Sequence, residues 1–160
     1  APVSEYCKKI NFKGELIYAN SWVNVNLKKD FNRLHDHPHS FLSGVLYFKV
    51  PKKSGRIVFE NPAWWLRSFW PHEAFKTRGI YTSGEWVFDV EESMLILFPS
   101  FLRHYVEPNE VDFDRISIAF NNDFIHKGGP RNSNDKLQLP SFNDVMEFEV
   151  QPDGNLEFPK

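Results

Sequence analysis

Arg33-Leu-His-Asp-His-Pro-His-Ser-Phe-Leu-Ser-Gly-Val-Leu-Tyr-Phe-Lys-Val50 is the stretch on which the fold of this chain turns. Its second part, Phe41 to Val50, is a nearly continuous apolar run of strand length. Pro51-Lys-Lys-Ser-Gly55 then turns the chain into a second run, Arg56 to Phe59, so the two read as a hairpin. The first part, Arg33 to His37, reads as a short strand that ends in a cluster of histidines. Residues i and i+2 of an extended segment project to one side, so His35 and His37 aim two imidazoles at one point while Asp36 looks away. This spacing suits a pair of metal ligands. A His-rich, solvated turn is the alternative reading of the same five residues.

Outward from this stretch the apolar runs stay short and are bounded by Gly, Pro, Asn or Asp. Upstream, Glu15 to Leu27 becomes alternating, with Val23, Val25 and Leu27 on one face and Trp22, Asn24 and Asn26 on the other. Downstream, Trp86 to Val90, Met94 to Phe98, Arg103 to Glu107 and Asp114 to Asn121 read as four more strands. The predicted class is all-β, a two-sheet jelly roll with few short helices. Residues 1–160 form one domain, because 160 residues suffice for a single full core. Between Asn61 and Tyr81 no period of 2 or 3.6 survives, and Trp64, Trp65 and Trp70 fall in what reads as a long irregular loop, either substrate-facing or capping the core. The tail from Gly128 to Pro140 reads as flexible, and Val145 to Val150 with Asn155 to Phe158 reads as a closing hairpin around Pro152-Asp-Gly154.

Composition narrows the class. Sixteen Phe, 5 Trp and 5 Tyr, 16% of the chain, suit pleated half-buried strands. A net charge of -2, from 19 basic and 21 acidic residues without a long basic block, implies no nucleic-acid partner. No apolar run approaches the roughly 18 residues of a membrane span, and no hydrophobic signal region opens the sequence. A single cysteine, Cys7, excludes an internal disulfide and fits the reducing cytoplasm. A terminal edge strand is free to pair two chains as a homodimer, although nothing in the sequence requires it.

A facial metal site needs a third ligand from a distant strand. His104, which opens the strand Arg103-His-Tyr-Val106, is the candidate. Further on, Arg115-Ile-Ser117 puts a guanidinium and a hydroxyl on one face of a strand. Such an Arg grips a carboxylate in a fork, with Ser117 adding a hydrogen bond; the competing reading is a surface ion pair to Asp112 or Asp114.

Six blocks in order, Trp22-Val-Asn-Val-Asn26, His35-Asp-His-Pro38, Leu42-Ser-Gly-Val-Leu-Tyr47, Ser54-Gly55 with Val58-Phe-Glu-Asn-Pro62, Phe98-Pro-Ser100 with His104, and Arg115-Ile-Ser-Ile-Ala-Phe-Asn121, cover roughly residues 20 to 121. In them the chain resembles the small 2-oxoglutarate- and iron(II)-dependent oxygenases of bacteria and phages, in the superfamily that includes prolyl hydroxylases. The resemblance implies a double-stranded β-helix, cupin-like in shape, working with iron(II), 2-oxoglutarate and dioxygen in a bacterial or phage-infected cytoplasm. It implies His35 and His37 as the proximal ligands, His104 as the distal ligand, and Arg115 at the 2-oxoglutarate C5 carboxylate, assisted by Ser117. It further implies hydroxylation of a small-molecule or protein substrate, with release of succinate and carbon dioxide. Asn24, Asn26, Tyr47 and Ser43 are expected to line the cosubstrate pocket, or to satisfy one another inside the barrel.

The chain departs from the superfamily's H-x-D…H pattern at one position, where His37 stands for a carboxylate. A third neutral imidazole leaves the site one negative charge short, which weakens iron(II) affinity and shifts its redox balance. Ligation by Asp36, or by His39 in place of His35, is the lesser alternative. Three other classes compete: a three-histidine cupin-type dioxygenase that uses no 2-oxoglutarate, a metal-bound sugar or small-molecule isomerase on the same jelly roll, for which a glutamate ligand is expected near the histidines and none is adjacent, and a non-catalytic β-sandwich binding module.

Overall fold

A computed structural model describes residues 2–63, 75–77, 79–80 and 82–125. Trp64, Trp65 and Trp70, most of the irregular insert, the tail and the closing hairpin lie outside the described residues. The chain opens with a helix, α1 (Pro2–Lys9), which the strand-by-strand reading did not single out. Its ends are marked in the sequence: Pro2 opens it, Glu5 lies in the first turn and Lys8 and Lys9 in the last. Asn11, at a φ of 54°, then reverses the chain, and Phe12 packs on Phe41 and Phe124 at ring separations of 4.6 and 6.0 Å. No helix among the described residues is long and apolar enough to cross a membrane.

Among the described residues eight strands follow: β1 (Glu15–Asn26), β2 (Asn32–His35), β3 (Leu42–Lys49), β4 (Ile57–Glu60), β5 (Glu85–Phe88), β6 (Leu95–Pro99), β7 (His104–Val106) and β8 (Arg115–Ile125). They pair into two four-stranded sheets of order β1-β8-β3-β6 and β2-β7-β4-β5, with every pairing antiparallel. Consecutive strands alternate between the sheets except β4 and β5, which pair within one sheet, and this is the winding of a jelly roll, the predicted class. The β3–β4 hairpin partners do not pair with each other; each belongs to a different sheet. The turn at Pro51 to Gly55 therefore crosses between sheets, a correction to the hairpin read from composition.

Val45 and Tyr47 of one sheet meet Ile57 and Phe59 of the other, with Phe98 between them, and all five are buried. The Phe59 and Phe98 rings meet edge to face at 5.0 Å. Burial of each such side chain contributes about 2 kcal/mol.

Candidate metal centre

Strand register builds the site in rows across β1, β8 and β3. Asn20, Asn121 and Ser43 stand abreast, then Trp22, Ala119 and Val45, then Asn24, Ser117 and Tyr47, and last Asn26 beside Arg115. These are every second residue of three neighbouring strands, so they share the inward face. On the facing sheet His35 and His104 are directly paired across β2 and β7. His37 lies just past β2, where its backbone N–H donates to Ser100 O at 2.9 Å.

The three imidazoles converge. Ring separations are 4.3 Å for His35 and His104, 5.2 Å for His35 and His37, and 5.1 Å for His37 and His104. One nitrogen from each lies within 4.8 Å of the others. Neither Asp36 nor His39 joins this group.

Hydrogen bonds decide which nitrogen each ring offers. His35 Nδ1 donates to Arg33 O at 2.6 Å, and His104 Nδ1 donates to Leu102 O at 3.0 Å. A carbonyl only accepts, so both Nδ1 atoms carry the proton and both Nε2 atoms keep a bare lone pair. His37 Nδ1 lies 2.6 Å from Asn121 Oδ1 and 2.9 Å from Ser43 Oγ. Its Nε2 is buried with no hydrogen-bond partner. A buried imidazole nitrogen without a partner, facing two other imidazoles, fits a divalent metal such as iron(II), for which neutral histidine is a common ligand.

Burial favours the neutral form of His37 and His104. It lowers the His37 pKa, and it lowers that of His104 to about 4, assisted by the neighbouring histidines and opposed by the Leu102 carbonyl. The unfolded chain therefore binds more protons than the folded one between about pH 6.5 and about pH 4. Stability of the metal-free protein is expected to fall as pH drops through that window and to level out below it, by on the order of 3 kcal/mol from His104. Thermal melts from pH 7 to pH 4 check this: a His104→Leu variant should show a flatter profile, and an unchanged slope would contradict the assignment.

Arg115 is 1% exposed and stands in the same cavity. Its Nη1 donates to Ser54 O at 2.7 Å and to Gly55 O at 3.4 Å. Gly55 has a φ of 94°, and a Cβ there would meet Arg115 Nη1 at 2.9 Å, so glycine lets the crossing turn wrap the guanidinium. The loop before β8 is held by Asn109, fully buried, whose Nδ2 donates to Asn26 O and Phe113 O. Among the described residues no carboxylate pairs with Arg115. The surface pairing with Asp112 is not formed, because Asp112 binds Lys28 at 2.9 Å. A buried guanidinium without a carboxylate is costly, and an anionic ligand relieves the cost. Tyr47, 2% exposed, faces the cavity with its phenol pushed up to about 12, chiefly by burial, so it stays a donor at any working pH.

The cavity joins these groups. It is lined by Trp22, Asn24, Asn32, Tyr47, Arg115 and Ser117 together with the three histidines, and apolar walls come from Val45, Ile57, Phe98 and Ala119. Among the described residues no Asp or Glu lines it. It is a small cavity, with a volume of about 50 Å³. Asn26 does not reach the cavity; it is buried behind it, 3.4 Å from Asn32 Oδ1, and Asn32 takes the lining position. Asn32, Asn121 and Ser100 were given no role from the sequence, although Ser100 and Asn121 fall in two of the six blocks. Extending the Arg115, Ser117 alternation by i+2 steps would have reached Asn121; nothing local marks Asn32.

Fold and site together define an antiparallel jelly roll with a three-histidine pocket that faces a buried arginine. The profile of the family described as "Putative 2OG-Fe(II) oxygenase" matches residues 20–121, and the chain belongs to that family. It is thus a member of an oxidoreductase family whose cofactors are iron(II) and 2-oxoglutarate. Among solved structures the chain is similar to an oxidoreductase of the 2OG-Fe(II) oxygenase family from Burkholderia pseudomallei, at 16% identity and a TM-score of 0.57, covering 74% of this chain and 50% of that one. It is similar also to a Pseudomonas putida prolyl-4-hydroxylase, at 15% identity and a TM-score of 0.50, covering 76% of this chain and 60% of that one. At these identities the likeness is one of fold. The chain thus spans half to three-fifths of the length of these two relatives. No curated protein sequence matches it.

Proposed function

We propose that this protein is a 2-oxoglutarate- and iron(II)-dependent dioxygenase that hydroxylates a C–H bond of its substrate and releases succinate and carbon dioxide. One observation carries the reading: a fully buried arginine without a carboxylate partner among the described residues shares a cavity with three converging imidazoles, one of which, His37, has a buried Nε2 without a hydrogen-bond partner. When bound, iron(II) supplies the redox chemistry that lets dioxygen oxidise both 2-oxoglutarate and the substrate.

The chain's own groups do the rest. His35, His37 and His104 present their Nε2 atoms as ligands, with His37 in the position of the carboxylate found in the superfamily pattern. Arg115, fixed by the Ser54 and Gly55 carbonyls, holds the far carboxylate of 2-oxoglutarate. Ser117 and Tyr47, abreast in the sheet, donate to the same acid, and Asn24 and Asn32 line the way in. Val45, Ile57, Phe98 and Ala119 exclude water, which strengthens every charge interaction in the cavity. Trp22, 37% exposed, stands where the substrate enters. The single Cys7 is consistent with work in a reducing cytoplasm.

A cupin-type dioxygenase that uses no 2-oxoglutarate is the alternative with the same three ligands, and it has no use for Arg115. Anaerobic titration with iron(II) and then 2-oxoglutarate, followed by succinate analysis on admitting oxygen, decides between them. Succinate formation that needs both additions supports the proposal; iron binding without 2-oxoglutarate binding favours the cupin-type reaction. Tyr47→Phe is expected to weaken 2-oxoglutarate by about 3- to 10-fold, the worth of one hydrogen bond, and to leave iron(II) affinity unchanged, as measured by the same titration.

A further inference from the structure

We infer that Asn121 is a positioning residue that makes His37 able to bind metal, by locking its tautomer through a polar chain that crosses three strands. A carboxylate has two equivalent oxygens and binds metal with either. Imidazole has two unlike nitrogens, and only the unprotonated one ligates. Placing histidine at this position therefore creates a requirement that a carboxylate lacks: something must keep the proton on Nδ1.

For His35 and His104 the backbone meets that requirement locally, through carbonyls two residues upstream. His37 has no such contact. Its anchor comes from 84 positions away, where Asn121 Oδ1 lies 2.6 Å from Nδ1. The sense of the Asn121 amide is set by two further bonds. Its Nδ2 donates to Asn20 Oδ1 at 2.9 Å, and its Oδ1 also accepts from Ser43 Oγ at 2.7 Å. With its proton committed to Asn121, Ser43 Oγ accepts from Ser100 Oγ at 2.7 Å. Ser100 in turn accepts the His37 backbone N–H through its carbonyl, so the chain closes on the residue it positions.

The arrangement is directional. A reversed Asn121 amide would present Nδ2 to His37 Nδ1, move the imidazole proton to Nε2 and block ligation. Asn121, Ser43 and Ser100 are all at least nine-tenths buried, so water does not substitute readily for a lost partner. Asn121 acts through His37 and lies outside the residues lining the cavity.

This inference rests on the proposed metal centre, and its test separates the two. Long-range nitrogen–proton NMR on the metal-free protein reads the His37 tautomer directly, and anaerobic iron(II) titration, with cobalt(II) absorption as a second probe, reads affinity. In the wild type His37 is expected as the Nδ1–H form. Asn121→Leu should show mixed tautomers and lose about 10- to 100-fold in metal affinity, the usual cost of an altered outer partner. Asn121→Asp, of the same shape and still an acceptor, should restore the single tautomer and bind iron(II) at least as tightly as wild type. If Asn121→Leu does not fold, Asn20→Ala, at an exposed edge position, carries the test through a smaller shift in the same direction. A single Nδ1–H tautomer and unchanged affinity in Asn121→Leu, or in Asn20→Ala where that variant carries the test, would overturn the inference. Wild type that shows the fixed tautomer but binds no iron(II) would instead overturn the metal centre and leave Asn121's hold on His37 intact.

Discussion

Replacing His104 by alanine is expected to cost more than 100-fold in iron(II) affinity and to remove all 2-oxoglutarate-dependent succinate formation. The reason is geometric. His104 is 5% exposed and is the ring closest to His35, and its Nδ1 is committed to Leu102 O, so its Nε2 has no task in the fold other than to face the two neighbouring imidazoles. Changes in outer partners alone cost about 10- to 100-fold at metal sites, and removing a ligand exceeds that. Folding should survive, because the ring is flanked by Phe59 and Phe98, which retain their own contact. Circular dichroism and an anaerobic iron(II) titration check the two halves together. A folded His104→Ala protein that binds iron(II) within threefold of wild type would place the metal elsewhere.

The second large effect carries opposite signs for stability and for binding. Arg115→Met keeps the volume of the side chain and removes its charge. In the unliganded protein this relieves a buried cation that burial already disfavours, so the variant is expected to melt at or above the wild-type temperature. Binding should move the other way: losing one partner of a buried, hydrogen-bonded charge pair costs about 3 to 4 kcal/mol, or roughly 100- to 1,000-fold in 2-oxoglutarate affinity. Iron(II) binding should be little changed. Arg115→Lys should recover only part of the loss, because an ammonium keeps the charge but not the two-pronged geometry. Isothermal titration with 2-oxoglutarate and a thermal melt measure both signs on one preparation. A Met variant that binds 2-oxoglutarate like wild type would remove Arg115 from the cosubstrate site.

Much of this protein is written locally. Short apolar runs punctuated by Gly, Pro and Asn are enough for a mainly β chain, because pleat period and turn chemistry act over a few residues. The i, i+2 spacing of His35 and His37 and of Arg115 and Ser117 is legible for the same reason. The helix over Pro2–Lys9 left only its Pro and charge signals in the sequence and was not singled out, because eight residues are too few to show a convincing period.

Other features depend on how the two sheets close. Alternation in β1 defines two faces but not which one looks inward. The structure turns the polar face of Trp22, Asn24 and Asn26 in and leaves Val23 and Val25 40% and 52% exposed, the reverse of what hydrophobicity alone favours. That choice follows from register with β8, whose Arg115, Ser117 and Asn121 need partners inside. The turn at Pro51 to Gly55 looked like a hairpin and is a crossing between sheets, since composition does not record which strand will pair with which. Only that crossing brings the Ser54 and Gly55 carbonyls to Arg115. The sequence by itself determined most of the strands, the three candidate ligands and the arginine proposed to hold a carboxylate. The tertiary structure decided the tautomer of His37, the substitution of Asn32 for Asn26 at the cavity wall and the burial of Arg115, because each depends on contacts between strands far apart in the chain.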